Sequence, residues 1–479
     1  MTAKPAIVWF RQDLRLRDNP ALSAAAGTGA PLIPVFILDD AAAGEWAPGA
    51  ASRWWLHHSL QSLNESLDQK MVILRGPALP LLTDLVRQTG ASAVFWNRCY
   101  EPWRRERDRD VKDALQNMGT QIRTFNGSLL FEPTSVSKSD GTPYKVFTPY
   151  YKKGCLENAP PVRALLPAPQ PINFFSQQPR GNIEDLDLLP RLDWANQFSA
   201  TWLPGEAGAH TKLERFLIEG IKDYKNGRNR PDQEYVSRLS PHLHFGEISP
   251  HQAWHATSGL LKKAALAENV AHFRSELGWR EFSYYLLYHF PDLVDTNMQR
   301  KFDRFPWQDD EQLLRLWQQG TTGYPIVDAG MRQLWQSGYM HNRVRMIVGS
   351  FLVKNLLIHW IHGARWFWDT LLDADLANNS ASWQWVAGSG ADAAPYFRIS
   401  NPVTQGRKFD PEGDYVRQYV PEIARLDTRF LHAPWEAPAE ELQRAGVSLG
   451  SDYPHPVIDL GESRKRALES YQTLSSGPK

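Results

Sequence analysis

The sequence predicts two regions: an α/β doubly wound parallel sheet in the N-terminal part and an all-helical region behind it. Three observations carry this. Apolar runs of five to seven residues alternate with helical periods over the first 130 residues. A stretch rich in Pro, Asn, Gln and Ser follows at about 131–205, as in NAPPVRALLPAPQPINFF. Beyond about 206, helical periodicity dominates and strand signals nearly vanish.

The strands are read at AIVWF (6–10), LIPVFIL (32–38), MVILRG (71–76), AVFWN (93–97) and QIRTFNG (121–127). Short continuous apolar runs of this kind suit strands covered on both faces. Residues 51–67, 77–88 and 103–117 read as the helices between them. Strand–helix alternation implies a parallel sheet with right-handed crossovers. The first strand runs into RQDLRLRDNPAL instead of a GxGxxG turn, which argues against a nicotinamide dehydrogenase. The stretch at 131–205 reads as a linker laid over the surface. Further helices are expected at 212–224, 250–257, 270–288, 309–319, 326–337 and 340–362. The expected organisation is therefore 1–130, 131–205 and 206–479.

The chain has 479 residues, 53 basic and 53 acidic, so its formal net charge is zero. A protein that coats nucleic acid would be strongly basic, so any DNA contact must rest on a local patch. The most apolar run, 346–361, is interrupted by Lys354 and Asn355, and no membrane span is expected. The opening MTAKPAIVWF lacks a signal pattern, which predicts a cytoplasmic protein. Two distant cysteines, Cys99 and Cys155, fit a reducing compartment and argue against a cysteine-ligated iron–sulfur cluster. The 19 tryptophans are a marked excess, clustered between Trp279 and Trp385. They suit an aromatic core, a stacking surface for a flat ligand, or an electron relay.

Four stretches carry candidate chemistry. Tyr224–Arg230 is a basic, glycine-containing turn, and Tyr235–Glu247 adds the closely spaced hydroxyls of Ser237 and Ser240. Such a pattern binds phosphate or simply caps helices. In the second stretch, Glu276, Trp279 and Arg280 share one helical face. Carboxylate, indole and guanidinium together suit a nucleic-acid base, or form a surface ion pair beside a half-buried Trp. In the third, Asn342, Arg345 and Met346 share a face while Arg343 is expected to point elsewhere, toward a phosphate or solvent. The fourth runs from Asp373 through Asn379, Trp383 and Trp385 to Pro402, dense in groups that bond to rings and ribose.

Taken in order, and beginning with Trp9–Arg15 and Asp18–Leu22, these motifs resemble the photolyase/cryptochrome family over essentially the whole chain. The resemblance implies an α/β antenna domain, a linker, and a helical domain holding FAD. By position it implies that Tyr224, Ser237, Arg238, Leu239 and Ser240 hold the flavin phosphates. Arg345, Asp373, Asp375 and Asn379 then face the isoalloxazine. It implies an electron-transfer triad of Trp383, Trp360 and Trp307. Glu276, Trp279, Asn342, Met346 and Trp385 line up with the pocket for a flipped dimer, and Arg228, Arg280, Arg343 and Gln405 with DNA contacts.

The activity implied is light-driven repair of cyclobutane pyrimidine dimers, in which excited reduced FAD lends an electron that splits the ring. Repair of the (6-4) photoproduct in this family needs two histidines as proton donors, and here those positions are Asn342 and Met346. The subgroup resembled is the class III enzymes, and methenyltetrahydrofolate is the antenna that this implies, with Asp13 and Glu101 as candidate contacts. The folate-binding Asn–Glu pair of some relatives falls near Trp103 and Arg104 and is unmatched. A monomer acting on damaged DNA without a metal is expected. The competing reading is a cryptochrome-type blue-light receptor with little repair.

Overall fold

The computed structural model describes residues 3–177, 181–191 and 193–475. Five parallel strands, β1 (Ala6–Phe10), β2 (Leu32–Leu38), β3 (Val72–Arg75), β4 (Ala93–Asn97) and β5 (Gln121–Phe125), form one sheet in the order β3-β2-β1-β4-β5. Side chains alternate across β1. Ala6, Val8 and Phe10 pack with Trp55 and Leu60 on one face, and Ile7 and Trp9 with Leu82 and Val111 on the other. Both faces are thus covered by helices: α1 (Pro20–Ala26), α2 (Ala50–Ser66), α3 (Ala78–Thr89) and α4 (Pro102–Asn117). The short α1, capped by Asn19 accepting from Leu22 N at 3.1 Å, is a helix the sequence reading did not list.

The remaining described chain is helical. Its main members are α5 (Glu206–Ile218), α6 (Ser240–His244), α7 (Pro250–Ala256), α8 (Ala264–His289), α9 (Glu311–Gln319), α10 (Pro325–Ser337), α11 (Asn342–Ser350), α12 (Trp360–Thr370), α13 (Leu376–Ala387) and α14 (Pro402–Phe409). Three expectations are corrected. The helix expected at 212–224 begins earlier, at Glu206, where that carboxylate accepts from Leu16 N at 2.9 Å and ties the helix to the first domain.

The helix expected at 340–362 is broken into α11, a wider turn at Phe351–Asn355, and α12. Leu357 takes φ 59°, a left-handed conformation that costs a non-glycine residue roughly 1–2 kcal/mol. Its complete burial, and Gln308 N donating to its carbonyl at 2.8 Å, hold it there. Lys354 and Asn355, the polar interruptions of that run, are both buried; Lys354 Nζ donates to Arg398 O at 3.1 Å and Asn355 Nδ2 to Ser463 Oγ at 3.0 Å.

The stretch at 131–205 is more than a surface tether. It buries Phe147, Tyr150, Tyr151 and Cys155 in the helical core, and Leu186, Phe198 and Trp202 against the sheet domain. Its apolar side chains are spaced irregularly, so no period announced their burial.

Two further contacts help to fix the sheet domain on the helical one. Arg15 donates to Gly246 O at 2.8 Å, and Trp55 Nε1 to Glu247 Oε1 at 2.9 Å. Gly246, at φ 68°, is required there, because a Cβ would stand 2.1 Å from Gln12 O. This junction sets the segment 237–247 against the helices that line the cavity described next.

Candidate functional site

A cavity of about 770 Å³ opens in the helical region, between the 224–244 segment, α8, α11, the 371–375 loop and α13. Asp373, Asp375, Asn379 and Trp383 are buried at its inner end, whereas Glu276, Trp279, Arg343 and Trp385 are half-buried and Asn342 is exposed. The cavity therefore has a closed floor and a polar, aromatic rim.

One wall is built from Tyr224, Ser237, Arg238, Leu239 and Ser240. Arg238 sits at φ 51°, and Nη2 donates to Glu234 Oε1 at 2.8 Å. Its Nε is buried with no partner among the described residues, a donor in the cavity wall that calls for an acceptor. Arg345, also in the lining, holds Asp373 through two bonds of 2.9 and 3.0 Å. Both guanidinium groups lie over the ring of buried Tyr339, at 5.6 and 5.4 Å.

Asp375 caps α13, accepting from Asn378 N at 2.9 Å. Its other oxygen accepts from Tyr284 Oη and lies 3.2 Å from His244 Nδ1. Burial alone would push this carboxyl up. The hydrogen bond and charge of His244, Arg280 nearby and the Tyr284 hydroxyl outweigh burial and hold it at about 2. Asn379 Nδ2 donates to Ala364 O at 2.9 Å, which fixes the orientation of the amide.

At the rim, α8 presents Glu276 and Trp279 as its spacing predicted. Glu276 pairs with Arg228 Nη1 at 2.5 Å, and Trp279 lies on Phe147 of the linker at 3.7 Å. Arg280, on the same face, also lines the cavity. It donates to Ser128 O at 2.8 Å and lies over the Tyr284 ring at 4.8 Å. On α11 the expectation that Arg343 points away from Met346 is corrected. The two are one turn apart, Arg343 Nη1 lies 3.5 Å from Met346 Sδ, and both line the cavity. The long Arg side chain bends over its own turn, is held by Asn229 Oδ1 at 2.5 Å, and rests on Phe409 at 4.5 Å.

Trp383 lines the floor and packs on Phe367 and Trp317, at 5.0 and 6.2 Å. Trp360 and Trp307 lie outside the cavity lining. Trp360 is buried with Nε1 donating to Asn297 Oδ1 at 2.9 Å, and His359 stands between it and Trp307, at 5.5 and 5.1 Å. Gln405 also lies outside the lining, on α14, the helix that carries Phe409. The sequence reading missed His244, Tyr339, Phe147 and Asn229. His244 had a signal, one turn after Ser240 inside a quoted motif. Asn229 also lies inside one, Tyr224–Arg230, whereas Tyr339 and Phe147 touch the site only through the tertiary fold.

Comparison with known proteins decides the family. Residues 6–170 match the model described as DNA photolyase, and 273–473 match that described as the FAD binding domain of DNA photolyase. The chain is 49% identical over 475 residues to a deoxyribodipyrimidine photo-lyase of Agrobacterium fabrum, covering 98% of each. The chain belongs to the photolyase/cryptochrome family. Within it, the chain is 38% identical to Cryptochrome-1 of Arabidopsis thaliana, covering 98% of this chain and 70% of that protein. Its fold superposes on a crystal structure of a bacterial class III photolyase from Agrobacterium tumefaciens with a TM-score of 0.96, 48% identity, and 100% and 99% of the two chains covered. An archaeal photolyase from Sulfolobus tokodaii, solved with two FAD molecules, superposes at 0.82 with 27% identity, covering 98% and 100% of the chains.

The photolyase cavity fits FAD. Its volume lies in the range of ligand and cofactor pockets. Arg238 Nε lacks an acceptor among the described residues, Ser237 and Ser240 bring hydroxyls to the same lining, and that lining also carries an oriented amide and an ion pair.

Proposed function

We propose that this chain is a light-driven deoxyribodipyrimidine photo-lyase that repairs cyclobutane pyrimidine dimers in DNA. The observation that carries this reading is a single cavity holding both residue sets, the wall suited to FAD and the rim suited to an everted base pair. Full-length identity of 49% to a deoxyribodipyrimidine photo-lyase supports it. When bound, FAD would supply the light-driven electron transfer by which the dimer is split.

The chain's own residues bind, orient and exclude water. Tyr224, Ser237, Arg238, Leu239 and Ser240 hold phosphate, while Arg345, Asp373, Asp375 and Asn379 orient the ring. Trp279 and Trp385 offer faces for the everted bases, worth roughly 1–3 kcal/mol per base, against an eversion cost of a few kcal/mol. Glu276 and Asn342 accept and donate hydrogen bonds at the pyrimidine edges. Arg228, Arg343 and Gln405 meet phosphates. Trp383, Trp360 and Trp307 form the relay that keeps the flavin reduced. Asn342 and Met346 offer no acid near neutral pH, which favours the cyclobutane dimer over the (6-4) product.

The antenna in this reading is methenyltetrahydrofolate. Asp13 is dropped as its contact: it is buried, accepts from Arg11 N at 2.7 Å and Asn97 Nδ2 at 2.6 Å, and has no free face. Glu101 keeps one buried oxygen without a partner among the described residues. The protein acts in the cytoplasm on damaged DNA. The test is repair of thymine-dimer DNA by the photoreduced protein under near-UV or blue light against a dark control. Light-dependent loss of dimers is expected; flavin absorbance without loss of dimers would move the chain to the cryptochrome reading.

A further inference from the structure

Five arginines line this cavity: Arg228, Arg238, Arg280, Arg343 and Arg345. Four of them are paired with a carboxylate: Arg228 with Glu276, Arg238 with Glu234, Arg280 with Glu281 and Arg345 with Asp373. Arg343 has no carboxylate partner among the described residues and is held by Asn229. The four pairs differ in what they join, and Glu281, buried beside Arg280, lies outside the cavity lining. Glu234 is exposed and lies one turn from Arg238. Asp373 is buried, and Arg345 grips both of its oxygens.

The Arg228–Glu276 pair alone joins a residue proposed to meet a DNA phosphate to one proposed to meet the lesion. It spans from the turn after Tyr224 to α8, with side chains 21% and 30% exposed. Water reaches both groups, so hydration offsets part of the cost of parting them. While it stands, the carboxylate occupies the guanidinium donors and cancels their charge for an approaching phosphate. Arg228 also repels Arg343, and Glu276 offsets that repulsion.

Resting on the dimer-binding reading above, we propose that Glu276 masks Arg228 in the free protein and that an everted dimer releases it. Pyrimidine imide N–H groups take over the Glu276 oxygens. Arg228, losing its partner, then closes on a phosphate beside the lesion. Undamaged duplex delivers no base to the rim and leaves the pair intact. Lesion discrimination thus includes an ion-pair exchange: Glu276 withholds a phosphate contact from undamaged DNA.

The test is fluorescence anisotropy of a labelled duplex, with and without one thymine dimer, titrated with FAD-loaded protein across a salt series. Wild type, Glu276→Gln, Arg228→Gln and the double variant are compared, with Glu276→Ala as a second way to remove the mask. Both Glu276 variants are expected to bind undamaged duplex about fivefold more tightly than wild type. Their salt slope steepens by about 0.9, the release expected for one added phosphate contact. The gain vanishes in the double variant. Undamaged-duplex affinity that stays at the wild-type value, or a gain that survives in the double variant, overturns the exchange. Wild type binding both duplexes equally would instead overturn the dimer-binding reading itself, so the two failures are distinguishable.

Discussion

The ring of Phe147 lies flat on the indole of Trp279, with centroids 3.7 Å apart and planes 9° from parallel. One belongs to the irregular stretch between the domains and the other to α8, so the linker buttresses the rim. Gly278 permits this approach, because a Cβ there would stand 2.6 Å from the Tyr151 ring.

Phe147→Ala removes a buried ring that touches α8 and leaves the cavity lining itself unchanged. A loss of about 3 kcal/mol in urea unfolding is expected. Flavin absorbance should persist, while affinity for a dimer-containing duplex falls several-fold as Trp279 loses its support.

Gly363→Ala places a Cβ 2.2 Å from the Trp383 ring, with no flexible tip to yield. Trp383 must shift, at a cost of roughly 1–3 kcal/mol. The expected outcome is a lower melting temperature together with weakened flavin retention, read by heating the purified protein and by its visible absorbance after gel filtration.

Burial pushes the Glu281 carboxyl from its ordinary 4.5 to about 7, against the opposing pull of Arg280 and the Phe131 and Leu130 amides. A raised carboxyl pKa stabilises the fold fully below about 4.5, and that contribution is lost as pH rises through about 7. The amount lost is about 3 kcal/mol. Glu281→Gln cannot ionise, so the difference between wild type and variant should shift in favour of the variant from pH 5 to pH 8. Urea midpoints at both values measure it; a constant difference would place the Glu281 titration elsewhere.

Asn379→Asp replaces the amide that donates to Ala364 O with an oxygen facing that carbonyl. A buried acceptor opposite an acceptor costs about 1–3 kcal/mol at neutral pH. Protonation restores the donor, so the deficit should shrink below pH 5, as thermal melts at pH 7.5 and 5 would record.

Much of this was legible early. The runs at β1, β2 and β4 were read to their end residues, since each is a short block of apolar side chains bounded by polar ones. Glu276 with Trp279, and Asn342 with Met346, were paired by helical spacing alone. The break at Leu357 was not legible, because 340–362 keeps its helical period through the turn. Burial of Leu357 and the Gln308 amide, not local preference, hold the left-handed residue. Arg280 was placed on the face of Glu276 and Trp279 by spacing; its hydrogen bond to a carbonyl more than a hundred residues away, at Ser128, was not legible.

The sequence by itself determined the element types, their order, the family resemblance and the residue types available for chemistry, because periodicity and motif spacing are local properties of a chain. Tertiary structure decided which side chains are occupied and which remain available. Arg228 meets Glu276, Asp375 meets His244 and Tyr284, and Arg238 Nε is left without an acceptor among the described residues, because hydrogen bonds and ion pairs reach only a few ångströms. Partners at that range are set by packing between elements distant along the chain.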